Sequence, residues 1–107
     1  MHEHQGAMQY LALADWQQVN VISPTNATAW FNLGLLQRGN GELESARMSL
    51  EQALAFDNQK NIEYYIVLAE TYEALQMPTR AIELYTQALR FMPDHTGIKQ
   101  ALVRLGG

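Results

Sequence analysis

The side chains in this sequence best suited to metal or proton chemistry are three histidines. His2 and His4 flank Glu3 at the N-terminus, and His95 follows Pro93-Asp94 at a turn. Two terminal imidazoles can pick up an ion adventitiously, but a held metal needs further fixed ligands, and no third one is evident. The chain has no cysteine, which removes disulfides, thiolate zinc sites and thiol nucleophiles together. Gly-x-Ser-x-Gly, His-Glu-x-x-His and P-loop patterns are all missing. Gly39-Asn40-Gly41 is too short and poorly placed to cradle a phosphate, and it reads as a turn between helices. Asn26-Ala27-Thr28 has the form of a glycosylation sequon, yet it stands at a helix start with no sign of secretion, so chance accounts for it. Without a nucleophile-base pair, a metal cluster or a cofactor motif, the expected protein is not an enzyme and carries no cofactor.

What remains is surface recognition, and composition narrows it. The 107 residues suffice for one modest core, and 48% apolar with 17% charged residues describes a folded chain. A net charge of -4, with seven Lys and Arg scattered from Arg38 to Arg104, speaks against a nucleic-acid partner, since phosphate contacts need a basic face. No apolar run approaches the ~20 residues of a membrane span, so no insertion is expected. Residues 1–6 are polar and read as a disordered tail or a cloning leftover rather than a targeting signal. The lack of cysteine suits the cytoplasm, although a removed signal or anchor stays open.

The elements that must position any binding residues announce themselves by a period. Ala12, Ala46 and Ala81 are 34 and then 35 residues apart. Each is followed at fixed offsets by a large residue (Trp16, Leu50, Tyr85), by a smaller one (Val19, Ala53, Ala88) and by a turn (Pro24, Asn58, Pro93). Between these blocks lie Trp30-x-x-Leu33-Gly34-x-x-Gln37 and Tyr65-x-x-Leu68-Ala69-x-x-Tyr72. Aromatic, leucine, small residue, then Ala, large residue and proline at this spacing resembles the tetratricopeptide repeat. Departures are mild: Gln37 stands for the usual Tyr, Ala69 for Gly, Asn58 for Pro, and one residue is inserted between Asn58 and Tyr65. The resemblance implies an all-α fold, a right-handed superhelical stack of antiparallel helix hairpins with about six helices. Its parts would be the second helix of an incomplete repeat at 7–25, repeats at 27–60 and 61–95, and a capping helix at 96–105.

Local chemistry points the same way. Leu33, Leu36, Leu43, Leu50, Ala53 and Leu54 fall at helical spacing in two stretches divided by Arg38-Gly39-Asn40-Gly41. The next break falls at Gln76-Met77, where Pro78 can take the first turn of the following helix. Gly34, Ala46, Ala53, Ala69, Ala81 and Ala88 let paired helices approach closely, while Trp30, Tyr65, Trp16 and Tyr85 fill the gaps. The stripe Ile98, Ala101, Leu102, Leu105 would cover the open end of the stack, leaving Lys99 and Arg104 outside it.

In this family the first helix of each repeat builds the ligand-facing surface. The resemblance therefore implies a binding stripe of Thr28, Phe31, Asn32, Leu35 and Arg38, continued by Glu63, Ile66, Val67, Glu70 and Glu73. Spacing supports the grouping, because Phe31, Leu35, Arg38 and Ile66, Glu70, Glu73 both run i, i+4, i+7. Phe31, Leu35 and Ile66 would form an apolar floor, and Asn32 offers an amide donor and acceptor to a peptide backbone. Glu63, Glu70 and Glu73 would form an acidic rim favouring a ligand with basic residues. The carboxylate clamp of chaperone co-factors in this family is absent, since the matching positions hold Phe31, Leu35, Glu63, Val67, Gly97 and Ala101. The expected function is an interaction module that binds a peptide or helix of another protein. The alternative is an assembly unit that self-associates, or packs within a longer repeat protein, through its incomplete N-terminal repeat.

Overall fold

The computed structural model describes residues 25–106. Among them are five helices and no strand: α1 (Ala27–Gly39), α2 (Leu43–Phe56), α3 (Ile62–Ala74), α4 (Pro78–Phe91) and α5 (Thr96–Leu105). None is long and apolar enough to cross a membrane. The further helix expected at 7–25, the tail at 1–6 and the histidines within it lie outside the described residues. The chain divides between Phe56 and Asp57 into two compact units, one holding α1 and α2, the other α3, α4 and α5.

In the first unit, α1 begins where the Asn26 side chain accepts the Ala29 N–H at 3.0 Å, satisfying one of the unpaired donors of the first turn. It ends in a Schellman turn: the Glu42 N–H donates to the Gln37 carbonyl at 2.8 Å and the Gly41 N–H to the Arg38 carbonyl at 3.1 Å. That turn needs a left-handed residue, and Gly41 supplies it at φ 81°. The chain reverses into α2 and the two helices close on one another at Gly34. A Cβ placed there would sit 2.7 Å from both Cγ and Cδ2 of Leu50. Ala46 and Ala53 are fully buried and Leu50 is 1% exposed, so small residues on α2 and the bare backbone at Gly34 set the helix separation. Beside this apolar seam the Ser49 hydroxyl donates to the Gln37 side-chain oxygen at 2.6 Å, a buried polar pair across the hairpin. Trp30 is only half-buried and edges an open cleft with Leu33 and Met48, so it contributes less to the core than its signature position suggests.

The second unit repeats the turn with different residues. Met77 N–H donates to the Tyr72 carbonyl at 2.8 Å and Gln76 N–H to the Glu73 carbonyl at 3.0 Å. Here the left-handed position is held by Gln76 at φ 62°, and Pro78 follows in the first turn of α4. Ala69 takes the place of Gly34 and Tyr85 that of Leu50; both are buried. The unit opens with a loop tied by Asp57, whose carboxylate accepts from the N–H groups of Gln59 (3.1 Å) and Asn61 (2.8 Å). Tyr65 packs on Phe91 with centroids 5.6 Å apart at 59°, and the Lys60 ammonium sits 5.7 Å from the Phe91 centroid. Helix α5 lays Ile98, Ala101 and Leu102 into the unit and leaves Val103 exposed.

Candidate functional site

Helix α5 is joined to α3 and α4 by a polar contact as well as by its apolar stripe. Arg104 reaches the Glu73 carboxylate with two nitrogens, at 2.6 and 3.4 Å, and the Tyr85 hydroxyl donates to the same carboxylate at 2.6 Å. The Arg104 hydrogen bond holds the Glu73 carboxyl below its usual range against the opposing effect of burial, and the Tyr85 bond adds to it. Burial pushes the Tyr85 hydroxyl well above the ordinary tyrosine range, and the bond to Glu73 and the charges of Glu73 and Glu70 push it the same way. A carboxylate shared by a guanidinium and a phenol is a short, charge-assisted junction between three helices.

Next to this junction a cleft of about 350 Å³ opens between α3 and α5. Ile66 and Glu70 line it from α3, Tyr85 from α4, and Gly97, Ile98, Gln100, Ala101 and Arg104 from α5, with His95 at the entry to that helix. His95 caps α5, its Nδ1 accepting the Ile98 N–H at 3.1 Å. Gly97 lies under the ring; a Cβ there would be 3.1 Å from His95 Cε1. The cleft thus combines aliphatic walls with carboxylate, amide and imidazole groups, a mixture suited to gripping a polypeptide.

The residues expected to form a binding stripe are distributed unevenly. Ile66 and Glu70 line the cleft; Val67 is half-buried and Glu63 exposed on the same helix. Glu73 belongs to the α3–α4–α5 junction, and its charge is answered by Arg104, so the acidic rim is weaker than three carboxylates would make it. In the first unit Thr28 and Leu35 are exposed, and Asn32 and Arg38 are half-buried. Phe31 is 7% exposed, a covered ring rather than an offered one. Sequence reasoning passed over His95, Gln100 and Arg104. The signal was available: Gly97, Ala101 and Arg104 follow the same i, i+4, i+7 spacing as Ile66, Glu70 and Glu73. The stripe drawn from the sequence ends on α3, although Gly97 and Ala101 hold the matching positions on α5.

Short antiparallel helix hairpins in series, closed by small residues and joined by matched turns, define a helical-repeat interaction module. Tetratricopeptide repeat models match residues 27–60 and 65–94, and the chain belongs to the tetratricopeptide repeat family. A comparison of the sequence with curated proteins finds no match. Solved structures similar to this one include the MamA protein, with 23% identity and a TM-score of 0.81 over 91% of this chain and 52% of that one. A thermophilic TPR protein of Thermus thermophilus, TTC0263, shares 26% identity at a TM-score of 0.75 over 99% of this chain and 52% of its own. The first TPR of Spaghetti (RPAP3), solved with an HSP90 peptide, SRMEEVD, shares 16% identity at a TM-score of 0.79 over 96% and 81%. The chain spans about half the length of the first two.

Proposed function

We propose that this chain docks a peptide or helix of a partner protein, with the α3–α5 cleft as the principal site. The observation that carries this reading is the cleft itself, where Ile66 and Glu70 of α3 face residues of α5 across about 350 Å³. Family membership supports it, and so does the similarity to a repeat domain solved with a bound peptide. Ile66 would receive an apolar side chain, and Glu70 and Glu63 would favour a neighbouring lysine or arginine. Glu73 contributes through the fold, because Arg104 already answers its charge. In the first unit, Thr28, Asn32, Leu35 and Arg38 are the α1 residues with surface to offer.

The test uses random peptides displayed on phage and selected on the whole chain. Enriched peptides should bind the wild-type chain and lose at least tenfold in affinity to Ile66→Ser and to Glu70→Lys, with the helical circular dichroism signal of both variants intact. A selection that enriches nothing, or peptides indifferent to both substitutions, overturns the reading.

A further inference from the structure

Resting on that docking site, we infer that His95 is a ligand-binding residue as well as a helix cap. Its Nδ1 accepts the Ile98 N–H at 3.1 Å, and a nitrogen that accepts carries no proton. The neutral ring therefore bears its proton on Nε2. That second N–H belongs to a ring that lines the cleft, and among the described residues nothing accepts from it. The cap fixes the ring, and Gly97 gives it room: any larger residue would put a Cβ 3.1 Å from Cε1. A ring already held in place on the cleft costs a ligand little ordering on binding.

The groups around it specify the ligand. Gln100, also on the cleft and unpartnered among the described residues, offers an amide donor and an acceptor. Glu70, on the opposite wall, offers only acceptors. Together these groups offer both donors and acceptors to a polypeptide main chain, which carries carbonyl and N–H groups alike. The occupant is thus an extended segment whose main-chain carbonyl accepts from His95 Nε2–H and whose lysine or arginine reaches Glu70.

His95→Asn separates the two roles, because asparagine is among the best N-cap residues but carries no imidazole N–H. Peptides enriched on the wild-type chain should bind this variant about five- to tenfold more weakly, while its thermal midpoint stays that of the wild type. In parallel, nitrogen NMR of the wild-type imidazole should show the proton on Nε2 and a shift of that nitrogen on adding the same peptides. Peptides that lose affinity to Ile66→Ser and Glu70→Lys but bind His95→Asn as they bind the wild type, with no change at Nε2, overturn the assignment and leave the docking site standing. Peptides that ignore all three substitutions overturn both.

Discussion

The contact between Gly34 and Leu50 makes a prediction whose sign depends on the background. Replacing Gly34 by alanine places a methyl 2.7 Å from two carbons of Leu50, where carbon contacts settle at about 3.5–4.0 Å. Leu50 is 1% exposed and cannot swing into solvent, so α1 and α2 must separate to admit the methyl. Overpacking of this kind costs about 1–3 kcal/mol. Against it, alanine is favoured over glycine inside a helix by roughly 0.8–1 kcal/mol. The net expectation is a loss of about 0.5–2 kcal/mol. In a Leu50→Ala background the obstruction is gone and only the helix preference remains, so the same substitution should stabilise by about 1 kcal/mol. Urea unfolding followed by far-ultraviolet circular dichroism measures all four corners of this cycle, and the two changes should couple by about 1–3 kcal/mol. If Gly34→Ala shifts stability equally in both backgrounds, Leu50 does not set the helix approach.

Gln76→Gly relieves a side chain from the left-handed region and should raise the unfolding free energy by about 0.5–1 kcal/mol net of the added chain freedom; unchanged or lower stability in urea titrations would contradict the turn assignment. Ser49→Ala strands the buried Gln37 amide oxygen and should cost about 1–3 kcal/mol, while the double change Gln37→Tyr with Ser49→Leu, the pair found at Tyr72 and Leu84, should cost less than the single one. Because the folded Tyr85 hydroxyl titrates above its unfolded value near 10, stability is full below pH 10 and falls as pH rises past it; Tyr85→Phe should flatten that alkaline slope in urea titrations. Glu73 acts in the opposite sense: its folded carboxyl lies below the unfolded value of about 4.5, so its contribution is present above that pH and fades as acid protonates it, and Arg104→Gln should move the acid loss to higher pH.

Much of the fold was legible because its determinants are local. Gly39-Asn40-Gly41 marked the first hairpin turn, and Pro78 marked the start of α4, each through backbone restrictions that no distant contact can override. The small residues at 34, 46, 53, 69, 81 and 88 marked the seams, since only they admit close helices. The candidate site was less legible because its polar groups depend on which partner each side chain finds. Glu73 and Glu70 are three residues apart on one helix, yet Arg104, 31 residues further on, engages Glu73. Phe31 and Ile66 hold matching places in the period, yet one is buried and the other half-buried. His95 gave no periodic signal at all, because its place on the cleft follows from capping α5 and not from lying on a helix face.

The buried Gln37–Ser49 pair bears on how a repetitive chain keeps its pieces sorted. Repeats built alike invite a helix to pair with the wrong mate while folding, or to trade places with the same helix of a neighbouring molecule. Were α2 to close on α3, Ser49 would meet Tyr72 with no amide to receive its proton. Were α4 to close on α1, Leu84 would cover Gln37 and leave its amide dry and unanswered. One hydrogen bond in one hairpin thus gives both of these non-cognate pairings a cost that the proper hairpin escapes, and so labels otherwise interchangeable parts.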